Sequence, residues 1–183
     1  MLQFKTPELK YLSYRQGQIA YRETGTGQTL FFLHGMNGNS KSWENLFYSL
    51  SSSFRVIAWD APSFGGSDVF GDNIEEYKNA AKALIETLKL KKIILIGHSM
   101  GGLIASQLAY DNDASVSGLI LSSTHLGFGC KKGEPLMERY ANRLKTFSTK
   151  LSDIDYAMER AQRNTPAGTS ESVIKFLANV ALD

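Results

Sequence analysis

The sequence predicts an α/β protein with a mostly parallel sheet and an antiparallel hairpin near its N-terminal end. Three observations support this class. Two segments of alternating polarity come first, apolar runs of strand length then alternate with helical segments, and only helical periodicity remains after Thr124. Strands that alternate with helices form parallel sheets with right-handed crossovers. We therefore predict a core over residues 1–124 and a helical unit over residues 125–183.

The first elements of the core predict a hairpin and a buried strand. Residues 9–14 and 18–23 alternate in polarity on either side of Gly17, as antiparallel strands do. Residues 29–33 are a nearly continuous apolar run, which is typical of a strand covered on both faces. We predict a helix at residues 42–50 after this strand.

The rest of the core alternates strand and helix. Residues 54–59 predict a strand, and the turn-forming residues 60–67 predict a loop after it. Asn73 with Glu76 three residues later resembles a capping box and predicts the start of an amphipathic helix. A strand at residues 92–96, a helix at 101–110 and a strand at 116–121 complete the series.

Three amphipathic helices are predicted beyond Thr124. The first begins near Pro135, because proline is favoured at the first helical position. The second begins at Ser152 with Asp155 as the capping residue, and the third surrounds residues 173–180.

Composition and charge exclude several classes of protein. The chain has 183 residues, 43% of them hydrophobic, which suffices for one substantial core. Its net charge of +2 is scattered, so we expect no nucleic-acid partner. The apolar runs are too short for a membrane span or a signal peptide. Cys130 is the only cysteine, which excludes an intrachain disulfide, and we expect a cytoplasmic protein.

Residues 97–101 form the pattern G-x-S-x-G between a predicted strand and a predicted helix. This context presents a serine hydroxyl in a strained turn at the carboxyl end of the sheet, and the glycines allow neighbouring backbone to pass close by. We therefore predict Ser99 to be a nucleophile.

A second motif follows the strand at residues 29–33 and supports this prediction. An oxyanion formed by acyl transfer needs two backbone N–H donors. We expect one from Met100, directly after the nucleophile, and the other from Met36 in the loop of residues 33–38. The residues expected to line a substrate pocket are His34, Gly35, Asn37, His98 and His125.

With these motifs the chain resembles the lid-bearing branch of the α/β-hydrolase superfamily, which includes esterases, enol-lactone hydrolases and meta-cleavage C–C hydrolases. The resemblance implies an acyl-enzyme on Ser99, a small-molecule acyl substrate and a helical cap over residues 125–183. We find no motif for a cofactor and no cluster for a metal. The chain departs from the pattern at Ser63, where similar proteins often have glycine, and we expect no functional consequence.

The resemblance also implies a triad acid and a triad histidine that follow the cap, and we assign neither within the 183 residues. His34 belongs to the oxyanion loop, and the ring of His98 is expected to point away from the Ser99 hydroxyl. His125 follows a core strand and is the remaining alternative as an unconventional base. We therefore expect an N-terminal fragment that lacks the last core strands and has little or no esterase activity by itself.

Two alternative functions stay open. One is a ligand-binding protein that kept the pocket and lost the triad. The other is a dinucleotide-binding module, although the glycine pattern is not G-x-G-x-x-G and the next strand ends in Ser122 and Ser123 rather than in an acidic residue. Esters, lactones, thioesters, C–C bonds and perhydrolysis are all served by this scaffold, so the sequence selects no substrate. It also leaves the oligomeric state open.

Overall fold

A computed structural model describes residues 6–111, 115–125, 134–135, 138, 141–142, 145 and 153–183. Its sheet has six strands in the spatial order β1-β2-β4-β3-β5-β6. The pairs β1–β2 and β2–β4 are antiparallel, and the pairs β3–β4, β3–β5 and β5–β6 are parallel. The predicted α/β class, with its hairpin and mostly parallel sheet, is confirmed. The strands are β1 (Leu9–Tyr14), β2 (Gly17–Thr24), β3 (Gln28–Leu33), β4 (Phe54–Trp59), β5 (Ile93–His98) and β6 (Val116–Ser122).

The central strands are buried on both faces, because helices cover the sheet from two sides. Alternate residues of a strand point to opposite faces. Phe31 and Leu33 of β3 accordingly lie in the larger core, together with residues of the helices α2 (Ile74–Thr87) and α3 (Met100–Tyr110). Leu30 and Phe32 lie in the smaller core, against Phe47. Each such buried side chain contributes about 1.5–3 kcal/mol, so β3 is a main source of stability.

The helix predicted at residues 42–50 begins earlier than expected. A 3₁₀ helix, Ser40–Trp43, precedes α1 (Glu44–Leu50). Asn39 caps it by accepting a hydrogen bond from the N–H of Lys41, while the Asn39 N–H donates to the Ser42 hydroxyl. The reciprocal cap starts the helical conformation at Ser40, two residues before the predicted start at Ser42.

Helix α2 begins where its cap was predicted, but only half of the capping box forms. The Asn73 side chain accepts a hydrogen bond from the Glu76 N–H at 3.0 Å. The Glu76 carboxylate instead pairs with Arg15 of the β1–β2 turn at 2.8 Å. This ion pair ties the start of α2 to the hairpin.

Strand β6 lies at one end of the sheet and is mostly exposed. It pairs with β5 along one edge, and no described strand pairs with its other edge. Three consecutive apolar residues are exposed, Leu119 by 39%, Ile120 by 54% and Leu121 by 47%. Because successive side chains of a strand alternate, both faces of β6 expose apolar surface.

The chain divides into two compact units, residues 1–125 and 126–183. In the second unit, α4 (Ile154–Arg163) and α5 (Glu171–Leu182) pack through buried alanines. The start predicted for α4 was wrong. Asp153 is the cap, because its carboxylate accepts hydrogen bonds from the N–H groups of Asp155 and Tyr156, so Asp155 lies inside the helix.

The remaining predictions for the second unit have different outcomes. The helix predicted around residues 173–180 is confirmed as α5. The helix predicted near Pro135 falls mostly on residues outside the described part. A role of this unit as a cap stays a prediction. Among the described helices, none combines the length and the apolar character that crossing a bilayer requires.

Candidate active site

Ser99 occupies a sharp turn between β5 and α3. Its φ of 50° and ψ of −114° lie in a region that residues other than glycine rarely adopt. Two hydrogen bonds hold the turn. The Ser99 N–H donates to the Ser122 carbonyl at 2.9 Å, and the Ser99 carbonyl accepts from the Gly102 N–H at 3.0 Å. The residue is partly exposed, and its hydroxyl donates no hydrogen bond to a described residue. The hydroxyl is therefore accessible and is not used to stabilise the fold of the described residues.

The glycines around Ser99 allow backbone segments to approach closely. A Cβ on Gly97 would lie 2.5 Å from the Gly101 carbonyl oxygen, and one on Gly101 would lie 2.7 Å from the His34 carbonyl oxygen. A Cβ on Gly102 would lie 2.8 Å from the Cβ of Thr124. Real Cβ contacts are longer than 3.0 Å, so the first turn of α3 packs directly on β5, the end of β3 and the residues after β6.

The loop after β3 lies against the turn at Ser99. A Cβ on Gly35 would be 3.1 Å from Ser99 Cβ and 2.8 Å from His98 Nδ1. Gly35 is buried, whereas the side chain of Met36 is 54% exposed. Asn37 is partly buried, has a positive φ of 63° and turns the chain back, so that the Gly38 N–H donates to the Gly35 carbonyl at 3.0 Å. The structure therefore brings the two predicted motifs together at Gly35.

The two predicted oxyanion donors have no competing partners among the described residues. Neither the Met36 N–H nor the Met100 N–H donates a hydrogen bond to one of them. Met100 is the first residue of α3, where an N–H has no intrahelical acceptor. The partial positive charge of a helix N-terminus favours an anion at this position.

His34 is a buried structural residue. It is 1% exposed, its Nε2 accepts from the Ala61 N–H at 2.9 Å and its Nδ1 lies 2.8 Å from the Gly35 carbonyl. The Ala61 N–H can only donate, so Nε2 must be the unprotonated acceptor of the ring. Nδ1 therefore carries the proton and donates to the Gly35 carbonyl. Burial lowers the pKa of His34, with the Gly35 carbonyl and Asp60 acting in the opposite direction. The ring is enclosed and both nitrogens are engaged, and the pocket-lining role that we predicted for His34 stays a prediction.

Asp60 makes a matching connection from the loop after β4. Its carboxylate is 2% exposed and accepts from the Ser40 N–H at 2.6 Å and from the Gly66 N–H at 2.9 Å. His34 therefore reaches from the first loop to the second, and Asp60 reaches from the second loop to the first. The two loops are fixed relative to each other.

The other two histidines lie on more open surface. The ring of His98 packs against Gly35, and the resulting burial lowers its pKa. His125 is exposed at the end of the first unit, after Ser123 with a positive φ of 50°. Their roles as pocket residues stay predictions, and so does the alternative of His125 as a base.

Sequence reasoning missed several residues that shape the site. The Ser122 carbonyl anchors the Ser99 N–H, and Thr124 packs against Gly102. The sequence marks Ser63 only as a departure from a pattern, whereas its φ of 71° lies in the left-handed region that glycine adopts without strain. These features depend on long-range packing or on backbone angles, and a serine or threonine in a loop gives no sign of them. Within the described residues, no group of three His, Cys, Asp or Glu side chains could hold a metal ion.

Known proteins of similar sequence include enzymes of more than one reaction type. A pimeloyl-[acyl-carrier protein] methyl ester esterase of Proteus mirabilis is 32% identical over 137 residues, which cover 74% of this chain and 51% of that protein. A 2-hydroxy-6-oxononadienedioate/2-hydroxy-6-oxononatrienedioate hydrolase of Paraburkholderia phymatum is 30% identical over 124 residues, which cover 61% of this chain and 43% of that protein. The chain spans between 35% and 51% of the length of such curated relatives.

Solved structures and a family model agree on the fold. An esterase from Exiguobacterium antarcticum superposes with a TM-score of 0.78 at 25% identity, covering 91% of this chain and 65% of that one. A bromoperoxidase from Bacillus anthracis superposes with a TM-score of 0.77 at 20% identity, covering 95% and 68% of the two chains. The family model of the alpha/beta hydrolase fold matches residues 28–165, from β3 through α4. The chain belongs to the α/β-hydrolase fold family.

Proposed function

We propose that this chain carries the nucleophile and the oxyanion hole of a serine hydrolase that acts on a carboxylic ester, a lactone or a related carbonyl compound. The observation that carries the proposal is the strained and accessible Ser99, next to a loop whose Met36 N–H is free of described partners. A protein that only binds a ligand has no need of such a turn. The esterases among the similar proteins favour an ester as substrate.

The proposed reaction begins with attack of Ser99 Oγ on the carbonyl carbon. The π electrons move onto the carbonyl oxygen, where the N–H groups of Met36 and Met100 stabilise the oxyanion. Each such donor contributes about 10²- to 10³-fold in rate. Collapse of the intermediate expels the protonated alcohol and leaves an acyl-enzyme. Water then attacks the acyl carbon and gives a proton to the base. Collapse of the second intermediate releases the acid, and the base passes that proton to Ser99 Oγ, which restores the hydroxyl.

A base must accept the Ser99 proton, and we propose that it comes from polypeptide outside residues 1–183. His34 is unsuitable because it is buried with both nitrogens engaged. Strand β6 supports the proposal. Exposed sheet edges normally carry charges that prevent further pairing. Residues 116–122 carry no charge, and beyond Ser117, where the register with β5 shifts, they expose Leu119, Ile120 and Leu121. We infer that further strands pair with β6 and bring the acid and the base of the triad.

Two measurements test the proposal. The first is labelling with a fluorophosphonate probe of the protein expressed from its native gene, with the adduct located by peptide mass spectrometry. We expect one adduct, on Ser99, which Ser99→Ala abolishes. Ser106→Ala is the matched control, since Ser106 lies on α3 and its hydroxyl only binds the Gly102 carbonyl. Labelling that survives Ser99→Ala, or no labelling, contradicts the role of Ser99.

The second measurement is hydrolysis of a p-nitrophenyl ester by purified residues 1–183. We expect little turnover, because the proposed base lies outside these residues. Robust turnover that Ser99→Ala abolishes would place the base inside this chain and would point to His125 or His98. His125→Ala and His98→Ala would then identify it.

A further inference from the structure

We propose that His34 is a positioning residue that sets the direction of the Met36 N–H. The Gly35 carbonyl and the Met36 N–H belong to one peptide group. His34 acts on this group by donating a hydrogen bond to its carbonyl. The proposal depends on the proposed function in one respect, the use of the Met36 N–H as an oxyanion donor.

The Gly35 carbonyl receives two hydrogen bonds that fix its direction. His34 Nδ1–H donates to it at 2.8 Å, and the Gly38 N–H donates to it at 3.0 Å. The carbonyl and the N–H of one trans peptide are coplanar and point in opposite directions, and no described peptide bond is cis. Fixing the carbonyl of residue 35 therefore fixes the N–H of residue 36.

The peptide group between Gly35 and Met36 has few other contacts that fix its orientation. Gly35 has no side chain to restrict its backbone angles, and a Cβ there is excluded by Ser99 and His98. Met36 is 54% exposed, so packing of its side chain does not hold the backbone. The Met36 N–H makes no hydrogen bond with a described residue. The hydrogen bonds to the Gly35 carbonyl therefore restrain rotation of the peptide plane, together with the packing of Gly35 against Ser99 and His98.

His34 is itself locked in the state that can donate from Nδ1. The Ala61 N–H occupies Nε2 at 2.9 Å, which leaves the proton of the neutral ring on Nδ1. Phe64 packs edge-on against the ring with centroids 5.2 Å apart. Burial lowers the pKa of His34 and so favours the neutral ring. The Ala61 N–H in the loop after β4 therefore selects the His34 tautomer, and this tautomer provides the Nδ1–H that donates to the Gly35 carbonyl.

A purely structural role predicts a different result on mutation. If His34 only ties the two loops together, loss of the Ala61 bond matters and the bond to Gly35 does not. His34→Asn and His34→Leu separate the two roles. Both lack a group that reaches Ala61 and have similar size, but only asparagine places an N–H donor where Nδ1 stands. His34→Gln is the complement, since its longer side chain reaches Ala61 and leaves the Gly35 carbonyl to Gly38.

The test is the ¹H–¹⁵N residual dipolar coupling of Met36, which reports the direction of the N–H bond, in the 183-residue chain. The sequence has five methionines, so ¹⁵N-methionine labelling identifies the Met36 signal. We expect the wild-type coupling in His34→Asn, and a coupling reduced or broadened by exchange in His34→Leu and His34→Gln. The couplings of Met100 and Met158 should not change. Ser67→Ala is the stability control, because it removes bonds to Ala20 and Asp60 and leaves Gly35 untouched.

Several outcomes would overturn the proposal. These are a wild-type Met36 coupling in His34→Leu, equal disturbance in His34→Asn and His34→Leu, or the same disturbance in Ser67→Ala. If His34→Leu does not fold, His34→Gln against His34→Asn gives the same comparison. The coupling needs no chemistry at Ser99, so it can fail while probe labelling succeeds, and the reverse. In the active protein we expect kcat to fall on the order of 10²-fold in His34→Leu with KM unchanged, and to recover in His34→Asn.

Discussion

Gly101→Ala tests whether the turn at Ser99 is as tightly packed as the structure indicates. Residue 101 is the second residue of α3, where alanine is intrinsically better than glycine by about 1 kcal/mol. A consideration of helix propensity alone therefore predicts a more stable protein. In the folded chain, however, a Cβ there would lie 2.7 Å from the His34 carbonyl oxygen and would overlap the Leu33 carbonyl.

The packing effect should exceed the propensity effect. The overlapping atoms belong to backbone at the end of β3, which cannot rotate away as a side chain can. Overpacking of a well-packed core costs about 1–3 kcal/mol, occasionally more, and a rigid neighbour places this site at the upper end. Subtracting the gain of about 1 kcal/mol leaves a net loss of about 2 kcal/mol in the free energy of unfolding. This loss lowers the ratio of folded to unfolded protein about 30-fold.

Urea unfolding followed by tryptophan fluorescence measures this loss, because Trp43 and Trp59 both lie in the sheet unit. With a typical dependence on urea, the midpoint should fall by roughly 1 M. Gly118→Ala is the matched control, since a Cβ there would make ordinary contacts of 3.4–3.9 Å with Ile94. A midpoint for Gly101→Ala equal to or above that of the wild type would refute the packing argument.

Three further perturbations have definite expected results. Ser63→Gly should raise the free energy of unfolding by up to about 1 kcal/mol, because glycine adopts the left-handed backbone angles of residue 63 without strain. Ser63→Ala keeps the strain and is the control. An equal gain for Ser63→Ala in urea unfolding would disprove this cause. Ile120→Lys should reduce any self-association of residues 1–183 in sedimentation velocity, because a charge on β6 opposes pairing with another copy. Val69→Lys, at an exposed position outside the sheet, should have no effect. Stability should fall as the pH drops from about 7.5 to about 5.5, because His34 and His98 have pKa values lowered below 6.5, so the unfolded chain takes up protons first. His98→Gln should make the urea midpoint less dependent on pH, and an unchanged dependence would exclude a contribution from His98.

Local patterns in the sequence predicted most of the first unit. Strand β4 has the predicted bounds, and α3 begins one residue before its predicted start. The reason is that buried strands are short apolar runs and amphipathic helices repeat their apolar residues, so both are visible within ten residues. The G-x-S-x-G motif predicted the sharp turn at Ser99. A Cβ on Gly97 would collide with Gly101 inside the turn, and a Cβ on Gly101 would collide with the end of β3.

Features that depend on distant partners were not predictable in the same way. The hydrogen bond from the Ala61 N–H to His34 joins residues 27 positions apart, and no local pattern indicates it. Ser and Asp are both acceptable capping residues, and only the hydrogen bonds of the Asp153 carboxylate to the N–H groups of Asp155 and Tyr156 identify Asp153 as the cap. Ser63 shows a departure from a family pattern, but its conformational cost became visible only from the backbone angle.

The end of strand β6 holds the turn at Ser99 through a backbone hydrogen bond. The carbonyl of Ser122, the last residue of β6, accepts from the Ser99 N–H on the side that faces β5, while no described strand pairs with the opposite edge. Fraying of this strand would loosen the turn and make the Ser99 hydroxyl more mobile. A strand that pairs with the other edge of β6 would suppress that motion. The reactivity of the serine should therefore report how firmly β6 is held from outside.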